Sequence, residues 1–237
     1  MISRWIKVFI WIVALGLLFN MWFGGEVEDE PVLEIDFDKV VDYSAFEREK
    51  EELEREGKIL HYSMVIDDQA EQEEIKETVK VLVNSVREET KFNALTVELY
   101  DHEKYVDRIE ATLGTAIYAP EGRIDLADTV PAGTYREMDF SWDVLKKDWN
   151  RRPEKYEIDI WAEWRDTYDR LQDINDEGLY GQALRIENEL VPALHPREEI
   201  SSRSIDFMIG KRFDLSLEEV AEIRDKQLRW QLLDIQD

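Results

Sequence analysis

Cysteine is absent from the 237 residues. No disulfide can staple the fold, no thiolate can act as nucleophile or metal ligand, and no lipid can be carried on an N-terminal cysteine. Cations are scarce: 30 Lys and Arg face 55 Asp and Glu, for a formal net charge of -25. A surface of that sign repels phosphate, which excludes nucleic-acid binding through scattered lysine and arginine, and adsorption to anionic lipid by charge alone. Histidine occurs 3 times, glycine 10 times and proline 6 times, so collagen-like and low-complexity compositions are excluded. The 43% of hydrophobic residues is enough for an ordinary core.

One long apolar run is present. From Trp5 to Phe23 the chain reads WIKVFIWIVALGLLFNMWF, with Lys7 near one end and Asn20 near the other. As a helix it would be roughly 28 Å long, close to the hydrocarbon thickness of a bilayer. The run reads as a transmembrane signal anchor over residues 1–25, with Trp5, Phe9, Ile12, Leu17 and Trp22 meeting lipid and the interfaces. Arg4 and Lys7 precede or begin it, and Glu26, Glu28, Asp29 and Glu30 follow. That asymmetry predicts a cytoplasmic N-terminus and an extracytoplasmic body in a single-pass cell-membrane protein. Signal-peptide cleavage is disfavoured by the bulky Met21-Trp22-Phe23 ahead of Gly24-Gly25, and a buried helix by the length of the uncharged run.

Beyond the anchor, the reading is an α+β body in which a small β-sheet with one packed helix, in β-α-β-β-β order, is followed by a helical C-terminal third. Residues 26–58 read as an acidic linker and a charged helix. Ser44-Ala45-Phe46-Glu47 fits a capping box, and Glu51/Arg55 and Glu54/Lys58 have helical spacing. The apolar positions before it have a short docking strand as the alternative. Residues 59–150 form the small sheet domain. ILHYSMVI at 59–66 reads as a strand, and Asp68 with Glu71 marks a helix start. Ile75, Val79, Leu82, Val83 and Val86 then make one apolar helix face. Strands follow at 94–100, at 113–119 before the Pro120-Glu121-Gly122 turn, and around 135–142. The first two strands should be parallel, joined by a right-handed crossover through the helix. Residues 151–237 read as helices: one after Pro153, one over 179–190, one over 200–209 ended by Gly210, and one opened by the capping box Ser216-Leu217-Glu218-Glu219.

The stretches FNALTVELYD at 92–101 and TLGTAIYAPEG at 112–122 resemble small uncharacterised exported proteins of Bacillus-like Gram-positive bacteria. The likeness spans roughly a quarter of the chain, from His61 to Gly122. It implies a surface location and a small α/β domain, and it carries no catalytic residues. Members of that group often look like lipoproteins; this chain departs from them in having no cysteine.

Signatures of chemistry are few. His102-Glu103-Lys104-Tyr105-Val106 opens like a zinc-protease helix but has valine where the second histidine must stand. There is no Gly-x-Ser-x-Gly elbow, P-loop or dinucleotide glycine fingerprint. His61 can meet Asp101, His102 or Glu103 if the first two strands are neighbours; the simpler outcome is a His61 paired within the sheet. Asp67-Asp68 fits a helix start better than a cation site. Trp142, Trp149, Trp161 and Trp164 are candidate sugar-stacking residues, against the plainer reading as core. Lys146-Lys147 and Arg151-Arg152 form a basic island that reads as a solvated turn. No metal or other cofactor is implied.

The expectation is a membrane-anchored extracytoplasmic binding or protein-interaction module. Its partners are the bilayer through residues 5–23 and a protein through the C-terminal helices, and it binds no nucleic acid. The alternatives are a cell-wall-associated hydrolase using paired carboxylates, recognisable by two facing acids with one raised pKa, and a cation-dependent structural module.

Overall fold

The structure, a computed structural model, describes residues 32–53, 57–66, 69–174 and 202–232. The anchor residues Trp5, Phe9, Ile12, Leu17 and Trp22, Asp67-Asp68 and the expected helix over 179–190 lie outside the described residues.

The protein is α+β, with a five-stranded mixed sheet and several helices. Strands β1 (Ser44–Leu53), β2 (Gly57–Val65), β3 (Ala94–Tyr100), β4 (Gly114–Pro120) and β5 (Met138–Val144) lie side by side in chain order. β2 and β3 are parallel and every other pair is antiparallel. Only the parallel pair needs a long connection, and helix α1 (Gln72–Glu89) supplies it. Its apolar stripe of Ile75, Val79, Leu82, Val83 and Val86 is buried as the spacing predicts. It packs on the sheet face carrying Leu60, Met64, Leu95, Val97, Leu99, Ala116 and Tyr118. The helix begins later than Asp68: Glu71 is the N-cap and its amide donates to the Glu74 carboxylate at 2.7 Å.

The charged helix expected over 44–57 is instead strand β1. Phe46 and Leu53 alone give a helix almost nothing to bury, and each i,i+4 ion pair contributes only about 0.3–0.5 kcal/mol. Pairing satisfies the free edge of β2 and sets Ala45 opposite Met64 on the core face. The register shifts between Glu47 and Glu49, so Arg48 is an extra, bulged residue.

Residues 32–43 do not run as a free linker. Leu33, Val41 and Tyr43 pack against the core, the Asp36 amide donates to Glu77 at 2.8 Å, and the Val41 amide donates to Thr78 Oγ1 at 3.1 Å. This segment covers Glu77 and Thr78 on α1. Burial pushes the Glu77 carboxyl up, but Lys80 and the Asp36 amide outweigh it and hold the group below the usual range.

Helices α2 (Lys155–Ile174), α3 (Ser202–Phe213) and α4 (Leu217–Leu232) pack on one another and on the carboxyl ends of β2 and β3. Val65, Tyr100 and Tyr105 join Ile158, Trp161, Ile205, Ile209, Val220, Ile223 and Trp230 in this second cluster. α3 does not stop at Gly210. The Leu215 amide donates back to the Gly210 carbonyl at 2.8 Å, and a Cβ on Gly210 would sit 2.7 Å from the Leu215 oxygen. Glycine is there for this close approach. The capping box before α4 forms as predicted, with Ser216 N to Glu219 at 2.7 Å and Glu219 N to Ser216 Oγ at 3.2 Å.

Candidate functional site

Because side chains alternate along each strand, the sheet has a second face, which α1 does not touch. At one end a 3-10 segment, Ile124–Thr129, lays Ala127 on Ile59, Ala94 and Ala119. At the other end the helical cluster takes Val65 and Tyr100. Between these covered ends the cross-strand register leaves two rows. One is Phe46, Ser63, Glu98, Thr115 and Asp143; the other is Glu49, His61, Thr96, Ile117 and Ser141. With strands about 4.8 Å apart, the rows floor a trough roughly 19 Å long that crosses all five strands.

The polar groups of the trough are tied to one another. The bulge turns Arg48 onto this face, where Nη1 donates to Ser63 Oγ at 3.1 Å and faces Glu98 at 3.4 Å, while Nη2 pairs with Asp107. Tyr100 donates its hydroxyl to Glu98 at 2.9 Å. Burial first, then the hydrogen bond and charge of Glu98, push the Tyr100 phenol up to about 12. His61 Nδ1 and Thr96 Oγ1 share a hydrogen bond of 2.6 Å. Glu49, His61 and Thr96 thus stand in register as acid, imidazole and hydroxyl. β3 is an inner strand whose amides belong to its ladders, so no paired donors converge near Thr96 to stabilise an oxyanion. Glu49, Glu98, Asp107, Asp139 and Asp143 on or beside the floor outnumber Arg48 and the neighbouring Arg108, which leaves the trough net negative.

The residues singled out by sequence are dispersed. His61 pairs with Thr96 in mid-sheet, far from Asp101, which follows the end of β3. Asp101 is fully buried and accepts from Arg152 Nε at 2.8 Å and from the Thr112 hydroxyl. His102 accepts from the Lys104 amide at 3.1 Å. Trp161 and Trp164 are buried in the helical cluster, and Trp142 stacks on Phe140 at 4.5 Å against the main core. Trp149 donates to the Ala70 carbonyl at 3.1 Å and lies 5.7 Å from the Trp230 ring. It lines two shallow grooves of about 630 and 420 Å³. The basic island is only partly a solvated turn: Arg151 is exposed beside Asp148, but Lys147 is buried with Nζ 2.9 Å from the Trp230 carbonyl, and Arg152 holds Asp101. A cation there complements the last carbonyls of α4.

Among the described residues no three His, Asp or Glu side chains converge to hold a metal ion, and no helix is long and apolar enough to cross a membrane. The carboxyl among them whose pKa is raised is Asp206. Burial is the main cause, opposed by Arg224 and Trp164, which hold it at 2.8 Å each inside the helical cluster, while the charge of Asp225 adds to the rise. Phe46, Arg48, Glu98 and Asp143 escaped the sequence reading. Three of them were legible only once residues 44–53 were known to pair with β2; Asp143 needed the full extent of β5. No protein-family model, curated protein or solved structure matches the chain.

Proposed function

We propose that the protein is a binding module held on the outer side of a cell membrane by residues 5–23, with the sheet trough as the surface that receives its partner. One observation carries the binding reading. The second sheet face is covered at both ends and left open between them, with its polar side chains fixed by Arg48, Tyr100 and the His61–Thr96 bond. An open face with pre-positioned polar groups loses little entropy on binding. The C-terminal helices are less suited to this role, since Val220, Ile223 and Trp230 of α4 are buried and α2, α3 and α4 each leave one large hydrophobic residue exposed, Tyr156, Phe213 and Leu228.

A chain without cysteine gives a clean reporter. In intact cells Ser141→Cys should react with a membrane-impermeant maleimide, and more slowly than Glu218→Cys on the helical side, because the bound partner shields the trough. In the purified full chain the two rates should converge. Labelling only after lysis overturns the location, and the same rate ratio in both settings overturns the binding role.

A further inference from the structure

The row Phe46, Ser63, Glu98, Thr115, Asp143 has a regular relief. An aromatic ring or a carboxylate stands on β1, β3 and β5, and a hydroxyl side chain on β2 and β4. Phe46 is 50% exposed, and Glu98 and Asp143 are exposed. Ser63 is fully buried and carries the Arg48 guanidinium. An aromatic ring and two carboxylates are therefore presented at every second strand, at intervals of roughly 9.6 Å.

That interval selects among chain conformations. A β-strand repeats its side-chain direction about every 6.8 Å, and an α-helix repeats a face about every 6 Å at i,i+4 or about 10.5 Å at i,i+7, the last overshooting two intervals of the row by about 2 Å. A polyproline II helix repeats every third residue, about 9.3 Å. The trough, roughly 19 Å long, holds two such turns and presents three contact points. Both local and total charge favour a cationic occupant.

Resting on the trough as the binding surface, we propose that its ligand is a basic polypeptide segment in the polyproline II conformation. Lysine or arginine at positions i and i+3 meets Asp143 and Glu98, and an apolar residue or proline at i+6 lies on Phe46. The preformed conformation costs little ordering entropy, and an exposed aromatic ring is a natural platform for proline. Arg48 is held to Asp107 and Ser63, and so shares Glu98 with the incoming cation.

The test uses the full chain in detergent micelles and a fluorescent proline-rich peptide with lysines at every third position. Its anisotropy is compared with that of an isomer of the same composition with adjacent lysines. The spaced peptide should bind about tenfold tighter, and Asp143→Asn should weaken it about fivefold while leaving the isomer unchanged. Phe46→Ala should weaken it as well, with the melting temperature of each variant confirming the fold. Equal affinities for the two isomers, or indifference to Asp143→Asn, overturn the proposal. Spermine bound as tightly and with the same sensitivity to Asp143→Asn overturns the polypeptide class. In either event the shielding of Ser141→Cys in cells can persist, which separates failure of this ligand from failure of the trough as a site.

Discussion

Asp101→Ala should uncouple the sheet from the helices. Asp101 follows β3 and is fully buried; Arg152 precedes α2 and its side chain is 19% exposed. The carboxylate accepts from Arg152 Nε and from Thr112, and the Asp101 carbonyl accepts from Arg152 Nη2. Truncation therefore removes the carboxylate that accepts from both the Thr112 hydroxyl and the Arg152 guanidinium. Removing one partner of a buried pair costs about 3–5 kcal/mol. The lower end applies, because Arg152 keeps some solvent, the Asp101 carbonyl and the Trp149 ring 5.6 Å away. In a chain of this size each kcal/mol lowers the melting temperature by about 2–4 °C, so a drop of roughly 6–12 °C is expected. Circular dichroism melts of Asp101→Ala, Arg152→Ala and the double variant give the coupling energy, expected near 2 kcal/mol. A destabilisation below about 1 kcal/mol, or a coupling near zero, would show that the pair sits in the interface without holding it.

Gly114→Ala should be among the most damaging substitutions outside the helical core. Its φ is 101°, and a Cβ would lie 1.9 Å from the Asp143 carbonyl oxygen. β4 and β5 must part at that point, and denaturant unfolding should show a loss of more than about 2 kcal/mol. Val83→Ala empties a fully buried site between α1 and the sheet, and the same assay should give a loss of about 1.5–3 kcal/mol. Burial, ahead of Glu98 for Tyr100 and of Glu47 for Tyr62, raises both phenols from 10.0 to about 12. Between those values the unfolded chain has released protons that the folded chain keeps, so stability falls as pH rises through the window; Tyr62→Phe with Tyr100→Phe should flatten that alkaline slope. The Arg108 hydrogen bond is the main cause that holds Asp166 below 3.8. Its contribution is present above that pH and lost as pH falls through the lowered value, so Asp166→Asn should blunt the acid limb of a melting-temperature profile.

Most of the sheet and α1 were legible because burial imposes a period. Ile59, Leu60, Met64 and Val65 have to be shared between two faces, and Ile75 to Val86 sit on one helical stripe. The parallel order of β2 and β3 followed from the length of the connection. Where the apolar signal is thin, local spacing misled. Glu51/Arg55 and Glu54/Lys58 are as compatible with a helix as with an exposed strand, and only the vacant edge of β2 decides. The same holds for Leu33, Val41 and Tyr43, whose partners on α1 lie some forty residues away and leave no local mark.

The trough was hidden for a related reason: it is made by register, which single residues do not announce. Glu98 reads as one acid among 55 until Ser63, Thr115 and Asp143 are set beside it. The acidic character of β1 also has a structural cause. An edge strand of alternating charges resists pairing with another sheet, and its bulge twists the free edge further from use. The extra residue that spoils the edge is Arg48, and the displacement that makes it unfit for a ladder carries its guanidinium over Ser63 to Glu98 and Asp107. Protection of the edge and organisation of the trough thus come from one inserted residue. Deleting Arg48 should restore a regular ladder while releasing Glu98, and sedimentation velocity should then show more self-association than in the unaltered chain; unchanged association would refute the edge-protecting role of the bulge.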